Sequence, residues 1–153
     1  MYSSIVVGTD FSPTAEEAVR QAVQLAKAFG AKLHVVTAFK PGFTASIAAS
    51  SLEAMAAGGA EFIQEANSAM ADEVEATHKS IADRLGKEGI KVKCHAVGEE
   101  PADALIDIAT QEKADLIVIG NQGMSGAKRL ILGSVPNKIS HHSPCSVLIV
   151  HTA

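Results

Sequence analysis

The apolar run Asp115-Leu-Ile-Val-Ile119 stops on Gly120-Asn-Gln-Gly123, and nine residues later Gly133-Ser134 opens a helical stretch. This succession of strand, glycine loop and helix start constrains the fold more than any other part of the chain. A β-branched run of this length reads as a buried parallel strand. Glycines let the chain turn with its backbone N–H groups uncovered, and helix N-terminal amides carry partial positive charge. A phosphate is the expected occupant.

The same alternation recurs along the chain. Ser4-Ile-Val-Val7 is a short first strand that stops at Gly8-Thr9-Asp10, and Ser12-Pro13 supplies an N-cap followed by the residue favoured at the first helical position. Glu16 and Glu17 complement the positive end of that helix, Ala15, Ala18, Val19, Ala22, Leu25, Ala26 and Phe29 form one stripe, and Gly30 suits a left-handed terminus. Lys32 to Ala38 is a second strand. Thr44 to Ala60, rich in Ala, Ser and Gly, reads as a mobile connection with room for a short helix near Ser51 to Ala57. A long helix from about Ala60 to Leu85, a half-exposed edge strand from Ile90 to Val97, and a helix opened by Pro101 with Ala102, Leu105, Ile106 and Ala109 facing inward come next. After the glycine loop, a helix from Gly133 to about His142 and a strand from Ser146 to Val150 close the pattern.

Five strands alternating with four helices predict an α/β fold, a single doubly wound five-stranded parallel sheet of order 3-2-1-4-5 with helices on both faces. At 153 residues the chain suits one domain spanning 1–153. Hydrophobic residues make up 47% but aromatics only 4%, so the core must be built from Val, Ile, Leu and Ala. A formal charge of -4, without a Lys/Arg cluster interleaved with aromatics, argues against nucleic acid. No apolar segment approaches the length of about 20 residues that crosses a bilayer, and no signal peptide is evident, so no membrane role and a cytoplasmic location are expected. Cys94 and Cys145 show no metal or C-x-x-C spacing and read as buried free thiols.

In such a sheet, ligands bind beyond the carboxyl ends of the strands, where the strand order reverses. The loop Gly8-Thr9-Asp10 and the Gly120 loop should meet there, with Val35 and Val36 as an apolar floor. No Walker A or G-x-G-x-x-G motif is present, which leaves efficient nucleotide hydrolysis and dinucleotide binding unsupported. Flavin is equally unsupported, because only Phe11, Phe39 and Phe43 could approach the loops. His34 reads as a hydrogen-bonded packing residue, and His141 and His142 as surface residues at a helix end.

Gly120-x-x-Gly123 with Gly133-Ser134, together with Ile5-Val-Val-Gly-Thr-Asp-Phe-Ser12, Leu33-His-Val-Val36, Ala114 to Gly120 and Pro144-Cys-Ser-Val-Leu-Ile-Val150, resembles the universal stress protein family over almost the full length. The resemblance implies an adenine nucleotide alpha hydrolase-like fold and an ATP-binding cytoplasmic homodimer acting as a stress sensor or adaptor. It places Gly8, Thr9 and Asp10 at the adenosine, with Asp10 able to hold Mg²⁺, and Val35 against adenine. Gly120, Gly123, Gly133, Ser134 and Val135 would hold ribose and phosphates. Lys128 and Arg129 could pair with outer phosphates or be solvated surface charges. Pro136-Asn137 stands where many ATP-binding members have Thr followed by an acidic residue, which turns the alternative toward cyclic AMP, a ligand with fewer phosphates. A slow Mg²⁺-dependent ATPase using Asp10 and a nucleotide-free scaffold are the other readings. The strand Ser146 to Val150 has a long apolar edge without Lys or Pro and is the expected dimer contact.

Overall fold

The computed structural model describes residues 1–39, 59–122 and 132–152. The expected helix near Ser51 to Ala57 and the connection from Thr44 up to it lie outside the described residues, whereas Gly59 and Ala60, expected as the end of that connection, already belong to the long helix. The strands are β1 (Ser4–Gly8), β2 (Lys32–Ala38), β3 (Val92–Val97), β4 (Leu116–Gly120) and β5 (Ser146–Val150). The helices are α1 (Pro13–Phe29), α2 (Gly59–Lys87), α3 (Pro101–Gln111) and α4 (Ser134–His142). All pairings are parallel and the order is β3-β2-β1-β4-β5, as expected from the alternation of elements.

Alternate side chains of each strand enter one of two cores. Ile5, Val7, Leu33, Val35, Leu116 and Val118 pack under α1 and the C-terminal part of α2, with Ala18, Ala22, Ala26 and Leu85. Val6, Val36, Ile117 and Ile119 pack under α3 and α4, with Leu105, Ile108 and Ile139. Small alanines bring the helices close to the sheet, which is how a chain poor in aromatics fills two layers.

Local chemistry sets the helix ends. Ser12 caps α1, its hydroxyl accepting from the Ala15 N–H at 3.3 Å, and Gly30 ends it in the left-handed region at φ 64°. The stripe of α1 is shorter than its periodicity suggests: Leu25 is half-buried and Phe29 is exposed, its ring edge-on to Tyr2 at 5.4 Å. At the amino ends of the strands, the Asp115 carboxylate accepts from the Ser3 N–H, the Ser3 hydroxyl and the Ser4 N–H, which together hold its pKa below the usual value. Both cysteines are free but half-buried, where full burial was expected. Cys94 lies on the edge strand β3 and Cys145 precedes the other edge strand, β5, and neither position has sheet on both sides.

Candidate functional site

The carboxyl ends of β1 and β4 are adjacent because Val7 pairs with Val118. Each runs into a short loop fixed by hydrogen bonds. After β1, the Thr9 N–H donates to the Val36 carbonyl at 2.9 Å, which continues the sheet by one residue. The Thr9 hydroxyl accepts from the Phe11 N–H at 3.1 Å and Asp10 Oδ1 from the Ser12 N–H at 2.9 Å. These two side-chain turns hold Phe11 at φ 61°, an uncommon conformation for a bulky residue, and lead directly into the N-cap of α1.

After β4, Asn121 gathers three pieces of chain. Its N–H donates to the Val150 carbonyl at 2.9 Å, its carbonyl accepts from the Gly133 N–H at 3.2 Å, and its side-chain oxygen accepts from the Thr152 N–H at 3.4 Å. The start of α4 is thereby fastened beside the end of β4. Gly133 is the N-cap of α4 and makes no side-chain cap hydrogen bond. Gly133 has given its N–H to Asn121, and Pro136 has none to give. Ser134 and Val135 remain as the first-turn amides without an acceptor among the described residues. The Gln122 side-chain nitrogen is buried and has no hydrogen-bond partner among the described residues. Nearby, Thr37 and His78 form a buried pair at 2.8 Å, and Phe11 lies against the His78 ring at 6.4 Å.

Gly120 is needed for close packing. A Cβ there would lie 2.8 Å from Thr14 Cγ2 and 3.2 Å from the Thr14 carbonyl oxygen, in the first turn of α1. Gly120→Ala is therefore expected to destabilise the fold by about 1–3 kcal/mol in urea unfolding. Gly86→Ala is the matched control: a Cβ at Gly86 meets nothing within 4 Å, so this change within α2 should stabilise by about 0.5–1 kcal/mol. Gly8 is tight as well, but against the Leu105 side chain, whose Cδ1 would be 2.9 Å away and can rotate.

The structure thus brings Gly8, Thr9, Asp10, Gly120, Gly133, Ser134 and Val135 to one end of the sheet. Gly123, Lys128 and Arg129 lie outside the described residues. Val35 and Val36 are fully buried and point to opposite faces, Val35 into the α1 layer and Val36 into the α3 layer. Asn121 and Gln122, which shape this end of the sheet, are not among the residues expected from the sequence, although both lie inside the glycine motif.

The model of the universal stress protein family matches residues 1–151. The chain belongs to the universal stress protein family. A universal stress protein of Mycobacterium tuberculosis is 39% identical over 151 residues, covering 99% of this chain and 97% of its own. A universal stress protein solved in complex with cyclic AMP is 33% identical, with TM-score 0.67, covering 99% of this chain and 98% of its own. The universal stress protein UspA of Lactobacillus plantarum, 22% identical with TM-score 0.72 and 97% coverage of both chains, shares the fold. In this universal stress protein no helix among the described residues is long and apolar enough to cross a membrane.

Proposed function

We propose that this universal stress protein binds an adenine nucleotide across the carboxyl ends of β1 and β4, and acts as a homodimeric sensor or adaptor whose chemistry is binding. The observation that carries the reading is the junction at Asn121, which fastens the amino end of α4 beside β4 and the Thr9–Asp10 loop. The unpartnered Gln122 nitrogen at that junction fits a site completed by a polar ligand. Ser134 and Val135 supply the phosphate contacts, Thr9 and Asp10 face the nucleoside, and Val35 lies in the layer beneath the adenine.

Cyclic AMP is the favoured ligand. With Pro136 lacking an N–H, two amides remain to receive phosphate oxygens, enough for a single phosphate, and the relative solved with cyclic AMP is similar over its whole length. ATP is the second reading, favoured by the intact Gly120-x-x-Gly123 and Gly133-Ser134 spacing. In that case Lys128 and Arg129 pair with the outer phosphates, and Asp10 supplies one oxygen to a Mg²⁺ otherwise held by phosphate and water. The homodimer forms through the outer edge of β5, which no other described strand covers.

Small molecules released by denaturing the purified protein, identified by mass spectrometry, test the reading together with titration of cyclic AMP and ATP. The Ser134 hydroxyl is a third donor to the phosphate beside the two amides, and Ser134→Ala, which removes it and keeps the amide, is expected to weaken the bound nucleotide roughly 10- to 100-fold. Saturating nucleotide at 100 times its Kd should stabilise the wild type by about 2.7 kcal/mol. A wild type that releases no nucleotide and gains no stability from either ligand would leave only the scaffold role.

A further inference from the structure

A second cluster of polar side chains lies on the α3 face of the sheet, at its β3 edge. His34 is the third residue of β2 and is 1% exposed, flanked on this face by the apolar Val6 and Val36 and, toward the edge, by Lys32, Lys93 and His95. Its Nδ1 lies 3.0 Å from His95 Nε2 on β3. Its Nε2 is buried without a hydrogen-bond partner among the described residues and lies 3.9 Å from Glu112 Oε2, beyond hydrogen-bond reach. Glu112 is the C-cap of α3, which sets its carboxylate over the sheet edge. One donor atom from each of the three side chains lies within 4.8 Å of the other two.

We propose that His34, His95 and Glu112 form a binding site for a divalent transition-metal ion of the zinc class. Two imidazoles and one carboxylate are the donors that such ions select, and three protein ligands leave a position for water. Donors bonded to one ion at about 2.0–2.2 Å stand roughly 3 Å apart, which is the His34–His95 separation. That gap holds either a shared proton or a metal ion. Glu112 is half-buried at a helix end and can change rotamer to close the remaining distance.

The outer shell is visible too. Lys93 bonds Glu112 Oε1, which leaves Oε2 turned toward His34. Lys32 lies 3.9 Å from that same Oε2, and its positive charge opposes a cation. Both lysines are about half exposed, so they can yield toward solvent as an ion enters from the edge.

The test is a titration of chelator-treated protein with Co²⁺, followed by its visible absorption, and displacement by Zn²⁺. One ion per chain is expected. Glu112→Gln and His95→Gln should each weaken binding at least about 10-fold, whereas Lys32→Gln should tighten it, an effect that a purely structural role for the cluster would not produce. Glu112→Gln alters a half-buried side chain at a helix end, so it keeps the test valid if His95→Gln fails to fold. Wild type that binds no Co²⁺ or Zn²⁺, or binding that survives Glu112→Gln but disappears in His141→Ala/His142→Ala, overturns the assignment.

Discussion

Ile139→Ala is expected to cost about 2–5 kcal/mol and to remove nucleotide binding with it. α4 has nine residues, and its buried members are Pro136 and Ile139. Ile139 is 0% exposed in the core layer formed with α3. A helix of nine residues is too short to persist in water by its own hydrogen bonds, so the contact of Ile139 with that layer keeps it formed. When the side chain is cut to Ala, the cheapest response is release of α4 rather than unfolding of the sheet. The Ser134 and Val135 amides leave the site together, and affinity falls further than a single lost hydrogen bond would explain. Ile139→Val should cost about 0.5–1.5 kcal/mol and retain binding. Urea unfolding gives the stability, and titration of the folded protein with cyclic AMP or ATP gives the affinity. Unchanged affinity in Ile139→Ala would show that the first turn of α4 takes no part in the site.

What could be read from the sequence was chemistry that acts over a few residues. Ser12-Pro13 and Gly30 bound α1 because capping depends on the residues at the cap itself. The Val/Ile runs bound the strands, and the glycine spacing located the loop after β4. The unread features depend on register between distant segments. The crowding of Gly120 comes from Thr14 in the first turn of α1, on a neighbouring strand's crossover. The role of Asn121 requires β5 and α4 to arrive beside it. Val35 shows the difference between direction and depth: alternation along β2 gives its face, but only the assembled layers show that it is fully covered. His34 looked like a packing residue and is one, yet its diagonal contact with His95, two residues beyond its direct partner Lys93, follows from the β2–β3 register.

The register that brings those histidines together also makes the protein sensitive to acid. Burial pushes His34 from the ordinary 6.5 down to about 4, against a smaller opposite pull from Glu112. Burial lowers His95 and His78 as well. As pH falls through 6.5 the unfolded chain takes up protons at these imidazoles, whereas folded His34 resists until about 4. Stability is therefore complete above pH 6.5 and declines through this window, at about 1.4 kcal/mol per pH unit for each histidine whose folded form is still unprotonated. For His34 the loss reaches about 3 kcal/mol. The carboxylates with lowered values, among them Glu112 and Asp115, start from 4.5 and 3.8 and weaken the fold mainly below that window. Urea unfolding between pH 7.5 and 4.5, with chelator present, should show the decline. His34→Gln should flatten the slope by about 1.4 kcal/mol per unit and leave the contribution of His78 in place. An unchanged slope would mean that the His34 ring accepts its proton in the folded state as readily as in water. That result would require a partner for Nε2 which the sheet edge supplies only if Glu112 moves toward it.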